Sequence, residues 1–214
     1  MNKMIFVIGL SSILASSVSF AKKIDFDLTP EEFTTLSSKL KKVEVKNKIE
    51  FEVDTEKKDL KTNNVDLEYV VKKKKAEIKI KDKMQAGVKR SAECLIVNRQ
   101  VIDDLASNPA KISSVSPVQC KVSFNALHPL TVLKSILTKL NVPGSDLKFV
   151  KKTDIESNIY NVTIENTEYE MDLAKKVSEK KIKYKVELEL EEGADKDSIE
   201  PLFIEFLKSL GVQK

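Results

Sequence analysis

The side chains that most often do covalent or metal chemistry are few and scattered in this 214-residue chain. His128 is the only histidine, and it stands just before Pro129 at the expected start of a helix, where it would lack a nearby nucleophile. A single histidine also excludes the histidine-rich zinc sites. We therefore predict no histidine-based catalytic centre, no metal site and no cofactor.

Other candidate catalytic patterns have an ordinary explanation. Serine and lysine occur three residues apart at Ser38/Lys41, Ser145/Lys148 and Ser178/Lys181. A lysine-rich chain produces this spacing by chance, and the companion Ser-Asp-Asn and Lys-Thr-Gly motifs are absent. The paired acids Asp103-Asp104 and Glu191-Glu192 match surface turns, and no glycine-rich phosphate loop occurs. We predict no catalytic residues.

The strongest local charge feature is a run of lysines in the first half of the chain. Its members are Lys72, Lys73, Lys74, Lys75, Lys79 and Lys81. Lysines on a strand can form a solvated face or guard a sheet edge against pairing with another molecule. They could also contact an anionic surface, such as lipid or polymer head groups. The sequence leaves both interpretations open.

Cys94 and Cys120 are the only cysteines. An even count in an exported chain indicates a disulfide, and the two residues should then lie on neighbouring strands with Cα atoms within about 7 Å. Two free thiols are the alternative. The spacing is too long for a CxxC redox motif.

Residues 1–21 have the layout of a secretory signal peptide: Lys3, an apolar run, and the small residues Ser19 and Ala21 at an expected cleavage site. The alternative is an uncleaved membrane anchor, but the run is shorter than the roughly 20 apolar residues that span a bilayer. Charged residues interrupt every later apolar stretch. We expect a periplasmic or secreted protein with no transmembrane span after cleavage.

Overall charge gives little support for nucleic-acid binding. Lysine and arginine number 37 against 33 acidic residues, which leaves a formal net charge of +4. Arg90 and Arg99 are the only arginines, although arginine is the usual choice for bidentate recognition of phosphates and bases. We expect no nucleic-acid partner.

Periodicity places these residues on a framework of strands and helices. Alternation of apolar and charged residues predicts strands near residues 24–28, 43–54, 65–71, 76–80, 91–98, 118–124, 146–151, 158–165, 167–173 and 181–191. Helical spacing predicts helices near residues 29–41, 101–105, 129–140 and 198–210. The first has a capping box at Thr29 and Glu32. Residues 43–54 could also form two strands broken near Asn47.

These elements predict the α+β class: antiparallel sheet of long amphipathic strands, with amphipathic helices packed on its apolar face. The mature region would be residues 22–214. Its two halves are alike in layout, so two similar lobes, residues 22–108 and 117–214 with a Ser/Pro-rich hinge between them, compete with one continuous curved sheet.

The absence of a catalytic set leads to a functional expectation. We expect an exported, non-enzymatic envelope protein that binds another protein or an envelope component. A periplasmic carrier of a lipid or hydrophobic ligand, held in a cavity between sheet and helices, is the alternative. An enzyme of unrecognised type is a third hypothesis.

Overall fold

A computed structural model describes residues 23–85, 88–119, 121–122, 128–179, 181–191 and 193–213. They form one antiparallel sheet of nine strands in the order β1-β9-β8-β7-β2-β3-β4-β5-β6. The strands are β1 (Lys23–Leu28), β2 (Glu44–Asp54), β3 (Val65–Lys72), β4 (Ala76–Gln85), β5 (Val88–Ile96), β6 (Lys121–Val122), β7 (Lys148–Ile164), β8 (Thr167–Ser178) and β9 (Lys181–Glu189). The predicted α+β class and antiparallel sheet are confirmed.

The described residues also form five α-helices. They are α1 (Pro30–Lys39), α2 (Asp59–Thr62), α3 (Arg99–Ser107), α4 (Pro129–Leu140) and α5 (Lys196–Ser209). The predicted capping box starts α1: Glu32 N–H donates to Thr29 Oγ1 at 3.1 Å, and Thr29 N–H donates to Glu32 Oε2 at 2.8 Å. Asn141 ends α4 in the left-handed conformation that suits a helix C-terminus.

Alternation of side chains gives the sheet two different faces, because successive residues of a strand point to opposite sides. We call the apolar side the outer face, since all the helices that contribute to the cores pack on it. One core joins β2–β5 to α2, α3 and α4, with Leu105 and Tyr69 at 1% and 0% exposure. A second core joins β1 and β7–β9 to α1 and α5, around Leu36 and Phe203.

Three boundaries differ from the predictions. The strands predicted near 146–151 and 158–165 are one continuous strand, β7, which is 17 residues long. The segment predicted as a hinge near 108–117 forms two 3₁₀ helices, Pro109–Ser114 and Pro117–Gln119, and Ile112 in the first is fully buried in the first core. The strand predicted over 118–124 is described only as Lys121–Val122.

Chain order and sheet order are interleaved. β1, from the beginning of the described chain, pairs with β9 near its end, from Lys23 opposite Glu189 to Leu28 opposite Tyr184. β2 pairs with both β3 and β7. This arrangement brings strands that are distant in the sequence onto one face.

Candidate functional site

The candidate site lies on the side of the sheet that faces away from the helices, which we call the inner face. Its charged residues alternate with apolar residues on the other side: Lys48, Glu50 and Glu52 of β2, for example, alternate with Phe51 and Val53, which pack in the first core. Every central strand contributes lysines, acids or small polar residues to this face. The site is therefore formed by the alternate residues of several strands that point to the same side of the sheet, and it does not depend on a local motif.

The inner face is enclosed although no helix covers it in the described structure. Val70, Ile155 and Ile159 point to it and are only 2–3% exposed. Ser157 and Glu77, also on this side, are both 4% exposed. Side chains so inaccessible require the sheet to curl, so that long side chains from other strands lie over them.

Charges from both halves of the sheet reach one lysine near its centre. Lys79 on β4 and Glu187 on β9 both act electrostatically on Lys48 of β2. In strand order β4 and β9 lie on opposite sides of β2, two and three positions away. The inner face therefore places Lys48 within one shared set of charges that come from several strands.

A cross-strand row of lysines runs across the concave face. Strand register places Lys183 opposite Lys176, Lys176 opposite Ile155, Ile155 opposite Lys48, and Lys48 opposite Lys72. We call Lys183, Lys176, Lys48 and Lys72 the lysine row. Two pairs in this row, Lys183 with Lys176 and Lys48 with Lys72, place like charges directly opposite each other on neighbouring strands. Such pairs destabilise a sheet. An arrangement that costs stability in the empty protein is suited to a polyanionic ligand that neutralises it.

Lys48 lies near the centre of this row. Burial lowers the pKa of its ammonium group, Glu50 opposes the change, and the positive charges of Lys176 and Lys79 lower the pKa further. Among the described residues, no carboxylate forms an ion pair with Lys48. Its charge is therefore the least compensated of the half-buried lysines in the row.

Glu77 balances the lysines at the β3–β4 side of the face. Its carboxylate is hydrogen-bonded to Lys72 and lies 3.3 Å from Lys79 Nζ. Lys79 also lies 3.4 Å from Glu93. Burial alone would raise the pKa of Glu77, but the two ammonium groups outweigh it and hold the pKa below its usual value. Glu77 therefore holds the ammonium groups of Lys72 and Lys79 in place.

A row of acids lies beside the lysine row. Strand register places Asp172 opposite Glu187, and Glu187 opposite Asp25. We call these three residues the acidic row. Glu187 lies 3.6 Å from Lys23 and 3.7 Å from Lys176, and Asp25 is hydrogen-bonded to Lys185.

Asp172 differs from its two neighbours in the acidic row. Burial raises the pKa of its carboxyl, the Ser157 hydroxyl opposes the change, and the charge of Glu187 raises the pKa further. Its Oδ1 is buried without a hydrogen-bond partner among the described residues. Such an oxygen is available to a ligand or to a reacting water molecule.

The acidic side chains of the described residues are not grouped as a metal site requires. Within the described ranges, no group of three or more His, Cys, Asp or Glu side chains is placed to hold a metal ion. Two members of the acidic row, Asp25 and Glu187, interact with lysines instead. Likewise, no helix in the described part of the chain is long and apolar enough to cross a membrane.

The six predicted anion-contact lysines divide between the site and the surface. Lys72, Lys79 and Lys81 point to the inner face, where Lys81 lies 3.4 Å from Glu68. Lys73 and Lys74 are exposed in the β3–β4 turn, and Lys75 lies 3.8 Å from Glu77. The edge-strand interpretation is wrong, because β3 and β4 are interior strands. Contact of these lysines with an external anionic surface stays a prediction.

Sequence reasoning missed Lys48, Lys176 and Asp172. The sequence does indicate that each of them lies on the charged face of its strand, because alternate residues of a strand point to the same side of the sheet. Their meeting depends on the register of β2 with β7 and of β7 with β8, which the sequence does not display.

The remaining predicted residues carry little functional information. His128 caps α4, accepting from the Leu130 N–H at Nδ1, which agrees with a structural role. Asp103 forms an ion pair with Arg99, and Asp104 is bonded to Gln100 on the same helix. Cys94 is buried on β5, whereas Cys120 and residues 1–21 lie outside the described residues, so the disulfide and the signal peptide stay predictions.

Comparisons with known proteins identify the fold. No family model matches the chain, and no curated protein matches it in sequence. Its structure is similar to HpAC1 from Hippeastrum, described as an adenylyl cyclase candidate with a dominant triphosphatase activity, with a TM-score of 0.64 and 18% identity over 89% of this chain and 87% of the other. It is also similar to bh2851 from Bacillus halodurans, provisionally assigned as an adenylate cyclase, with a TM-score of 0.60 and 17% identity over 91% of both chains.

This likeness corrects the functional expectation. The prediction of a non-enzymatic envelope protein is wrong, because the chain shares nearly its whole fold with proteins described as triphosphatase and cyclase enzymes. The expectation of a binding protein is corrected with it. Catalytic motifs within single segments give no indication of this site, because it is assembled from several strands.

The alternative of a hydrophobic-ligand carrier is wrong for a further, structural reason. A carrier of that kind needs apolar space between sheet and helices. Instead, Leu60, Leu105 and Ile112 pack directly against one half of the sheet, and Leu36 and Phe203 against the other, all at 0–1% exposure.

Proposed function

We propose that this protein is an enzyme that holds a triphosphate-bearing ligand on its inner face and hydrolyses a phosphoanhydride bond. The lysine row is the observation that carries the proposal, because its facing like charges destabilise the empty sheet and a bound polyanion would offset that repulsion. The triphosphatase activity described for the Hippeastrum protein of similar fold supports the same reaction class.

The ligand-binding step is electrostatic. The terminal and middle phosphates would lie over Lys176, Lys48 and Lys72, with Lys79 reaching the same concave volume. Phosphoryl transfer is catalysed largely by positioning and by stabilising the charge that spreads over the phosphoryl oxygens. Ammonium groups held in place by Glu77 and Glu187 meet that need, since they require no reorganisation during the reaction.

Asp172 is suited to handle the proton. Water attacks the terminal phosphorus, the bridging P–O bond breaks, and the released chain leaves with the bond's electron pair. The unpartnered carboxylate oxygen of Asp172 can orient this water and accept its proton, because the raised pKa makes the group a stronger base than an exposed aspartate.

Hydrolysis of inorganic tripolyphosphate by the purified full chain tests this proposal. We expect orthophosphate release, and we expect Lys48→Met combined with Lys176→Met to lower kcat/KM at least tenfold, about 1.4 kcal/mol of transition-state stabilisation. Lys73→Met is the matched control, because Lys73 is an exposed lysine in the adjoining turn, and it should leave the rate within about twofold. No hydrolysis by the parent, or equal losses in both variants, would contradict the proposal.

The proposed reaction does not depend on whether residues 22–108 and 117–214 form two similar lobes, and that division stays a prediction.

A further inference from the structure

We propose that Lys48 is also a reactive amine that captures small phosphate-bearing aldehydes as an imine. This inference rests on the proposed function in one respect: the lysine row would hold the phosphate group of either ligand. It adds a covalent reaction that hydrolysis of a triphosphate does not use.

Its neighbours distinguish Lys48 from the other lysines of the concave face. Lys72 is bonded to Glu77, Lys79 lies between Glu77 and Glu93, and Lys176 lies 3.7 Å from Glu187. An ammonium group held by a carboxylate keeps its proton and cannot attack a carbonyl. Lys48 forms no such pair with the described residues and is half-buried.

The surroundings of Lys48 give it a larger fraction of neutral amine, the nucleophilic form, than an exposed lysine has. Removal from water and the like charges of Lys176 and Lys79 all act against the ammonium state, and the pKa of Lys48 is lowered as a result. Lysines desolvated or placed beside another cation are the ones that form imines with carbonyl substrates.

An acid-base group is available on the same strand. Glu50 is two residues from Lys48, points to the same face and interacts with it electrostatically. The neutral amine attacks the carbonyl carbon, a C–N bond forms, and one N–H proton passes by way of the Glu50 carboxylate to the carbonyl oxygen, which becomes a hydroxyl group. Glu50 then relays the remaining N–H proton to that hydroxyl group, which leaves as water with the electron pair of the C–O bond while the nitrogen lone pair forms the C=N bond. No oxidant or reductant is needed, and water reverses the reaction.

The phosphate group gives the ligand its affinity and its orientation. Lys72 lies directly opposite Lys48 on β3, and Lys176 lies two strands away on β8. A phosphate between these cations places a carbonyl a few bonds away beside the Lys48 amine. An aldehyde without a phosphate lacks this anchor.

Reductive trapping tests the inference. The full chain is incubated with substoichiometric pyridoxal 5′-phosphate, reduced with borohydride, digested and mapped by mass spectrometry. We expect most of the label on Lys48, and at least tenfold less label there with pyridoxal, which lacks the phosphate. The share of label on Lys48 should rise as the pH falls below the ordinary lysine pKa, because exposed lysines become protonated first.

Two variants serve as controls. Lys48→Arg keeps the charge but cannot form the imine, and it should reduce total labelling at least tenfold. Lys46→Arg is the matched control, since Lys46 is the preceding inner-face lysine of β2 but is paired with Glu170 at 3.1 Å, and its labelling should match the parent. Label spread over exposed lysines such as Lys73 and Lys74, or unchanged labelling of Lys48→Arg, would overturn the inference.

The result is separable from the proposed hydrolysis. Hydrolysis of tripolyphosphate without labelling of Lys48 overturns the imine alone. Selective labelling without hydrolysis supports the imine and overturns the function proposed above.

Discussion

At the scale of single residues, the inner face is a set of charges whose partners are unequal. Glu77 has the ammonium groups of Lys72, Lys75 and Lys79 close to it, whereas Asp172 faces another acid and has a buried oxygen with no described hydrogen-bond partner. Residues of the first kind hold the site together. Those of the second kind cost stability, which is common where a group is kept for binding or catalysis.

Replacing Asp172 with asparagine should stabilise the protein at neutral pH. The folded protein holds the Asp172 proton more tightly than the unfolded chain, because the pKa is raised. This contribution is present below the ordinary pKa of about 3.9 and is lost as the pH rises through the folded value. We expect Asp172→Asn to gain on the order of 1 kcal/mol at about pH 7 and little at about pH 3.

Urea midpoints at the two pH values measure this gain, and tripolyphosphate hydrolysis should fall at least tenfold in the same variant. Asp154→Asn is a control on the outer face, where the ordinary exposed carboxylate should leave both quantities nearly unchanged. A loss of stability in Asp172→Asn at neutral pH would show that the charged form is favoured.

Replacing Glu77 should have the opposite effect. Glu77→Gln leaves Lys72 and Lys79 without their shared carboxylate in a largely dry site, and we expect a loss of about 2 kcal/mol. Because the folded pKa is lowered, the contribution is present above the ordinary glutamate pKa and is lost as the pH falls through the folded value. Glu93→Gln, at a more exposed member of the cluster, should cost less than about 1 kcal/mol. Equal losses in urea unfolding would contradict this ranking.

At the scale of elements, the sequence predicted local features well. The Thr29 capping box of α1, the helix starting at Pro129 and the strands with clear alternation are all present. Each depends on residues within a few positions of one another.

Features that depend on distant partners were predicted poorly. In β7, the polar run from Lys151 to Asp154 breaks the alternation, yet pairing with β2 on one side and β8 on the other keeps the strand continuous. The Ser- and Pro-rich segment expected to be a hinge is fixed by Ile112 and Val115, which insert into the first core. In both segments, packing against distant parts of the chain determines the local structure.

The cap of α1 gives an element-scale prediction. Thr29→Ala removes the acceptor for the Glu32 N–H and should cost about 1 kcal/mol. Thr34→Ala is the matched control on the same helix, because the Thr34 hydroxyl only donates back to the Pro30 carbonyl, which is already part of the helix. Its effect should be under about 0.5 kcal/mol in thermal or urea unfolding. A larger loss at Thr34 than at Thr29 would rule out the cap as the stabilising feature.

At the scale of the whole molecule, two cores share one sheet. Phe149, at the start of β7, packs with the first core, and Tyr160, further along the same strand, belongs to the second. A strand common to both cores couples them, because it cannot leave the sheet without exposing apolar surface in each.

We therefore expect one cooperative unfolding transition. Leu105→Ala in the first core and Leu207→Ala in the second should each cost about 3 kcal/mol and should move the whole transition. Calorimetry checks this through the ratio of calorimetric to van't Hoff enthalpy, which should remain near one in both variants. Two separate transitions, with only one shifted in each variant, would instead support two independent lobes.

The parity of the strands has a consequence for how this chain can change. The same alternation sends Phe51 and Val53 to the helices and Lys48 and Glu50 to the concave side, so one pattern of residues determines both the hydrophobic core and the charged site. Removing a single residue from the middle of β2 would exchange the two faces for part of the strand, placing lysines against the helices and apolar groups among the charges. We therefore expect changes of length to be tolerated in turns such as residues 55–58, or where a bulge absorbs the extra residue as it does between β2 and β7, and the rest of the site to change by substitution.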